Sequence, residues 1–166
     1  MGANKQMRVK GIIFDDFVNY KYPCMTIETP FCDFKCDKEC GLPVCQNRAL
    51  AKADTLTYDD FQIIKTYLKN NLTKAICFQG LEPLDNRYFP DLWEFIRRVR
   101  ESGCKDDIVI YTGFKEEEIG SKIELLSKFK NIVIKFGRYI PDQKPHFDKV
   151  LGVELASPNQ YARRIS

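Results

Sequence analysis

Short, nearly unbroken apolar runs alternate along this chain with longer stretches in which apolar residues recur every three or four positions. The runs predict strands. They cover Arg8–Phe14 (with Val9, Ile12, Ile13 and Phe14), Cys24–Thr29 ending at Pro30, Ala75–Gln79, Asp107–Tyr111 and Asn131–Phe136. The periodic stretches predict helices. One starts near Thr57, which can cap it, with Asp60 adding negative charge to the first turn and Phe61, Ile64, Tyr67 and Leu68 as its buried face. A second spans Tyr88–Ser102, with Leu92, Phe95, Ile96 and Val99 inward and Gly103 as its stop. A third spans Lys115–Phe129 on Ile119, Ile123 and Leu126, opened by three glutamates that suit a helix N-terminus. The last forty residues, with Pro141, Pro145 and Pro158, are less regular.

Strands alternating with helices predict βαβ units and a parallel sheet. Their crossovers are right-handed. An eight-unit barrel needs about 250 residues, and this chain has 166. The expectation is therefore a single α/β domain over residues 1–166, either a partial (βα) barrel of mostly parallel strands or an open sheet. In both, chemistry belongs at the carboxyl ends of the strands. The loops at Phe31–Asn47 and Gly80–Leu84 follow strands in that way.

Composition narrows the function classes. A net charge of +3, with basic pairs only at isolated places such as Arg97-Arg98 and Arg163-Arg164, argues against a nucleic-acid partner. No apolar run approaches the ~20 residues of a membrane span, and the first ten residues are polar and basic rather than a secretory signal. A cytoplasmic protein with no membrane association is expected. Seven cysteines are many for that compartment, where thiols stay reduced and clustered cysteines signal metal binding or catalysis.

Four of those cysteines crowd into one loop as Cys32-x3-Cys36-x3-Cys40-x4-Cys45. Thiolates hold zinc or iron–sulfur clusters. Structural zinc uses two paired knuckles with a long gap, a layout absent here. Four cysteines close a [4Fe–4S] cluster as an electron carrier, whereas three leave one iron open to bind a substrate. The loop permits either. Cys24 and Cys77 fall in strands and read as core. Cys104, after a helix stop, reads as incidental, and His146, the sole histidine, as a packing or surface residue.

Cys32-Asp33-Phe34-Lys35-Cys36 and Cys45-Gln46-Asn47 resemble the two halves of the C-x3-C-x2-C loop of the radical S-adenosylmethionine (SAM) enzymes. Eight residues, Asp37 to Val44, stand between the halves where that family has two. Cys45 is the preferred third ligand because Asn47 follows it, with Cys40 as the alternative. Gln79-Gly80-Leu81-Glu82-Pro83-Leu84 resembles the family's Gly-Gly-Glu-Pro-Leu segment, with Leu81 replacing the second glycine. Tyr111-Thr112-Gly113-Phe114, Ile134–Tyr139 and the closing Leu151–Gln160 stretch resemble segments of the activating proteins of anaerobic ribonucleotide reductase, with Phe136 where an Asp would stand.

That resemblance implies a partial barrel of radical SAM type and an open [4Fe–4S] cluster on Cys32, Cys36 and Cys45. It implies that Gly80, Leu81 and Glu82 contact the methionine end of SAM, that Val44 packs on the adenine and that Tyr111 and Thr112 line the same pocket. It further implies reductive cleavage of SAM to a 5′-deoxyadenosyl radical, which takes hydrogen from a glycine of a partner. The partner would be the large subunit of anaerobic ribonucleotide reductase, and the electron donor a flavodoxin or ferredoxin. An activase for another glycyl radical enzyme, a zinc module and a closed [4Fe–4S] carrier are the alternatives.

Overall fold

The computed structural model describes residues 5–166. The Arg8–Phe14 run divides in two, as β1 (Gln6–Val9) and β2 (Gly11–Asp16). They part at Lys10, whose N–H bonds to the Glu28 carbonyl at 2.7 Å. β2 pairs antiparallel with β3 (Cys24–Thr29), while β1 leaves to pair antiparallel with β4 (Leu56–Asp59). The cysteine loop after β3 carries two short helices, α1 (Lys35–Cys40) and α2 (Arg48–Lys52).

The remaining elements build three strand–helix–strand units with parallel strands. They run α3 (Asp60–Lys69), β5 (Ala75–Gly80), α4 (Phe89–Glu101), β6 (Asp107–Tyr111), α5 (Gly120–Leu126) and β7 (Ile132–Phe136). The chain then forms a hairpin of β8 (His146–Asp148) and β9 (Val153–Leu155) and ends in β10 (Tyr161–Arg164). The main sheet has six strands in the order β10-β7-β6-β5-β3-β2. Its four central strands are parallel, and both flanking strands are antiparallel.

Register aligns like with like across the sheet. Met25, Ile76, Ile108 and Ile132 fall in one row, and Phe78, Ile110 and Ile134 in another. These rows belong to the larger core, which includes the inward residues of α3, α4 and α5. Cys24, Ala75, Cys77, Val109 and Val133 alternate to the other face and meet Tyr20, Leu151 and Leu155. Cys24 and Cys77 are fully buried there, as core thiols. The helices thus cover one face, and the hairpin region covers the other.

α4 matches its expected span and buries Leu92, Phe95, Ile96 and Val99. α3 departs from expectation. Thr57 lies in β4, and Asp59 caps the helix, its Oδ1 accepting the Phe61 N–H at 2.8 Å and the Gln62 N–H at 3.2 Å. The buried stripe is accordingly Asp60, Ile63, Ile64 and Tyr67. Phe61 is 65% exposed and Leu68 is also exposed. The expected helix over Lys115–Phe129 is a 3-10 turn at Glu116–Glu118 followed by α5, because Ile119 leaves helical geometry at φ −132°. Among the described residues no helix is long and apolar enough to cross a membrane.

Candidate functional site

The carboxyl ends of β3, β5, β6 and β7 surround a cavity of about 420 Å³. Cys32, Cys36 and Cys45 line it, and Cys40 and Val44 are not among its lining residues. Gly80, Leu81 and Glu82 border it after β5, and Tyr111 and Thr112 after β6. The structure therefore gathers three cysteines of the loop and five residues from two other strand ends around one space.

The inserted residues explain which cysteine returns. Residues 35–40 wind into α1, which ends at Gly41 with φ +66°. Asp37 then reaches forward. Its Oδ1 accepts the Cys45 N–H at 2.8 Å, and its Oδ2 pairs with Arg48. This closure draws Cys45 back to the cavity, while Cys40 stays at the far end of α1. Asn47 completes the connection by donating from Nδ2 to the Gly80 carbonyl at 2.5 Å.

Gly80 must turn sharply where the two loops meet. It has φ +97°, and a side chain there would meet Glu28 Cα, Leu50 Cδ2 and Thr29 N at 3.1 Å. Only glycine fits such a backbone at such distances. Beyond it the buried Glu82 joins two strand ends. Its Oε1 accepts the Leu84 N–H at 3.0 Å and the Thr112 hydroxyl at 2.7 Å, and its Oε2 accepts the Gly113 N–H at 2.8 Å. The carboxylate that lines the cavity is thus also the tie between the β5 and β6 loops. Burial raises its pKa, and the bonds from Thr112, Gly113 and Leu84, with the Lys135 charge, oppose that rise.

Sequence reasoning passed over the cations beneath the loop. Lys135, only 7% exposed, lies in the apolar run of β7 opposite Tyr111 and lines the cavity. Its Nζ donates to the Gly137 carbonyl at 3.0 Å. Burial lowers its pKa to about 8, against the pull of Glu82 and Cys36. Alternation in β7 could have flagged it, since a lysine between Ile134 and Phe136 breaks an otherwise apolar strand. Asn19 was also missed. It lines the cavity, and its carbonyl accepts the Tyr111 hydroxyl at 2.5 Å.

Burial keeps the Cys32 and Cys36 thiols protonated while no metal is bound. Burial pushes the Cys32 thiol up to about 12. The Phe34 N–H, 3.2 Å from its sulfur, opposes this, while the charges of Glu82, Asp33 and Cys45 add to it. Cys36 is likewise raised by burial. The nearby Tyr139 N–H and the Lys135 and Arg138 charges lower it, and Cys45 raises it. Metal binding must therefore release protons from these sulfurs. Among the described residues no three His, Cys, Asp or Glu side chains converge tightly enough for a single metal ion. A cubane makes a different demand, because each cysteine binds a different iron. Three thiols spaced around one cavity, with N–H groups near two of the sulfurs, fit that group.

No curated protein and no solved structure gives a significant match to the chain. A family model does. The model described as "4Fe-4S single cluster domain" matches residues 26–155, which include the whole cysteine loop, the strand ends around the cavity and the β8–β9 hairpin. The match covers more than three quarters of the chain, so the chain belongs to the 4Fe-4S single cluster domain family and is an iron–sulfur protein.

Proposed function

We propose that this protein is a radical SAM activase that makes a glycyl radical in a partner enzyme. The observation that carries the reading is the company of Cys32, Cys36 and Cys45. They share one cavity with Gly80–Glu82 and Tyr111–Thr112, and Cys40 lies outside it. Three ligands leave one iron of a [4Fe–4S] cluster free for a substrate. A closed electron-transfer cluster would need a fourth thiolate.

The cluster, when bound and reduced, supplies one electron to the sulfonium of SAM. SAM bound there would be cleaved to methionine and a 5′-deoxyadenosyl radical, which would take a hydrogen atom from the partner's glycine and leave 5′-deoxyadenosine and a glycyl radical. The chain's own residues bind and orient. Cys32, Cys36 and Cys45 hold the cluster, with Asp37 and Asn47 fixing the path of the third cysteine. Gly80, Leu81 and the strand-end backbone after β5 would bind the methionine end of SAM, and Glu82 holds that loop against Thr112 and Gly113. Lys135 offers a buried cation to an anionic group in the cavity. In this reading the six-stranded sheet is a partial barrel of radical SAM type. From the sequence resemblance, the partner is the large subunit of anaerobic ribonucleotide reductase, with a flavodoxin or ferredoxin as donor.

The test is anaerobic reconstitution with iron and sulfide, reduction, addition of SAM and measurement of 5′-deoxyadenosine. Cys40→Ala is expected to keep the activity, and Cys32→Ala, Cys36→Ala and Cys45→Ala to lose it. A stable cluster that requires all four cysteines and cleaves no SAM would replace this reading with an electron carrier.

A further inference from the structure

Arg138 is the most deeply buried arginine near the cysteine loop, at 4% exposure. It follows Gly137, whose φ of +102° turns the chain out of β7, with the Asn159 carbonyl 2.9 Å from where a side chain would begin. The Arg138 carbonyl is held by Asn159 Nδ2 at 2.8 Å. The residue is thus fixed from its backbone outward.

Its guanidinium is only partly matched. Nη2 donates to Glu118 Oε1 at 2.7 Å. Nε lies 3.3 Å from Glu39 Oε1, in ion-pair range but without the alignment of a hydrogen bond. Nη1 also has no acceptor among the described residues. Buried donors without partners are uncommon and call for an explanation. Glu39 belongs to α1, the helix that begins one residue before Cys36. Glu39 stands three positions after Cys36 on α1, where side chains are neighbours on the helix surface, so the guanidinium at Glu39 lies beside the Cys36 turn.

We propose that Arg138 is a positioning residue for the iron–sulfur cluster, pinning α1 through Glu39 and setting the cluster's reduction potential by its buried positive charge beside Cys36. The proposal rests on Cys36 being a ligand and is independent of SAM cleavage. A reduced cluster carries one more negative charge than an oxidised one. A cation buried nearby stabilises the reduced form and raises the potential. The two carboxylates that face the guanidinium are more exposed than it is, Glu39 at 54% and Glu118 at 31% of the side chain. Water screens them more than it screens Arg138.

The experiment is a redox titration of the reconstituted full chain, followed by electron paramagnetic resonance without SAM, with iron content measured in parallel. Arg138→Gln is expected to shift the midpoint to more negative potential, and Arg138→Lys to restore most of it. Glu118→Gln is expected to shift it the opposite way, since it removes the counter-charge. If Arg138→Gln assembles no cluster, Glu118→Gln decides: a positive shift sustains the proposal, and none overturns it. Unchanged potentials across the series, with Cys36 still required for the cluster, refute the proposal alone. A full cluster in Cys36→Ala refutes the ligand assignment and the proposal together.

Discussion

Asp37 Oδ1 accepts the backbone N–H of Cys45 at 2.8 Å, and this bond spans the inserted segment of the cysteine loop. The carboxylate is mostly buried and also pairs with Arg48 at the start of α2. It closes the chain around α1 and sets which cysteine faces the cavity. Cys45 thereby lines the same cavity as Cys32 and Cys36, although eight residues separate it from Cys36.

Asp37→Ala should loosen that closure. A bond between a carboxylate and a backbone N–H contributes about 1.5–3 kcal/mol, and part of it is lost from the loop alone. The expected outcome is several-fold faster iron loss to a chelator, with little change in helix and strand content. Asp37→Asn keeps an acceptor for Cys45 and should fall between. Wild-type iron release in Asp37→Ala would show that the loop is held otherwise.

Gly80→Ala and Gly103→Ala form a matched pair. Both residues have positive φ, +97° and +88°, but only Gly80 has atoms where the new methyl would go. The shared backbone cost is about 1 kcal/mol, and crowding against Glu28, Thr29 and Leu50 adds to it only at Gly80. Thermal midpoints should fall for both variants and fall further for Gly80→Ala, which should also assemble less cluster. Equal midpoints would mean that the β5 turn yields freely.

The central strands were legible because each is a short apolar run that needs no distant partner to explain it, as in Ile108–Ile110 and Ile132–Ile134. α4 was legible for a similar reason, since four apolar residues at helical spacing define its inward face. The start of α3 was not. Thr57 looks like a cap in sequence, yet residues 56–59 pair with residues 6–9, about fifty positions away. β10 was hidden in the same way. Its sequence is Tyr-Ala-Arg-Arg, and only pairing with β7 makes it a strand. Around the cavity, Cys32, Cys36, Cys45 and the Gly80–Glu82 loop stand out in the sequence as local motifs. Lys135 shows only as a break in an apolar strand, and Arg138 not at all, because the groups they face, Glu82, Cys36 and Glu118, come from other segments.

Thr112 donates to the buried Glu82 and accepts the Phe114 N–H at 3.1 Å through the same hydroxyl. Thr112→Val keeps the shape and removes both bonds. Leaving buried polar groups unmatched costs about 1–3 kcal/mol, so the denaturation midpoint should drop by that equivalent. Thr112→Ser should recover most of it. If valine is as stable as threonine, the tie between the β5 and β6 loops does not depend on this hydroxyl.

Asp60 supplies a prediction with a pH signature. It is 1% exposed in α3, and its Oδ1 has no hydrogen-bond partner among the described residues. Arg98 Nη1 approaches Oδ2 only to 3.8 Å. Burial pushes its pKa from 3.8 up to about 6, against the pull of Arg98 and Lys5. Between these values the folded state holds a proton that the unfolded state has released. Stability therefore falls as pH rises through that window, and the penalty is fully present above it. At about 1.4 kcal/mol for each pH unit between the two values, the charged form costs on the order of 1–3 kcal/mol. Asp60→Asn removes the charge and keeps the shape, though it also gives up the attraction to Arg98. Thermal midpoints of the apo-protein from pH 4 to 8 should show the variant more stable than wild type at pH 7 to 8. That advantage should shrink toward pH 4, where wild-type Asp60 is protonated in the folded state. A variant that is less stable at pH 7, or that parallels wild type throughout, would show that Arg98 and Lys5 fully offset the burial of the carboxylate.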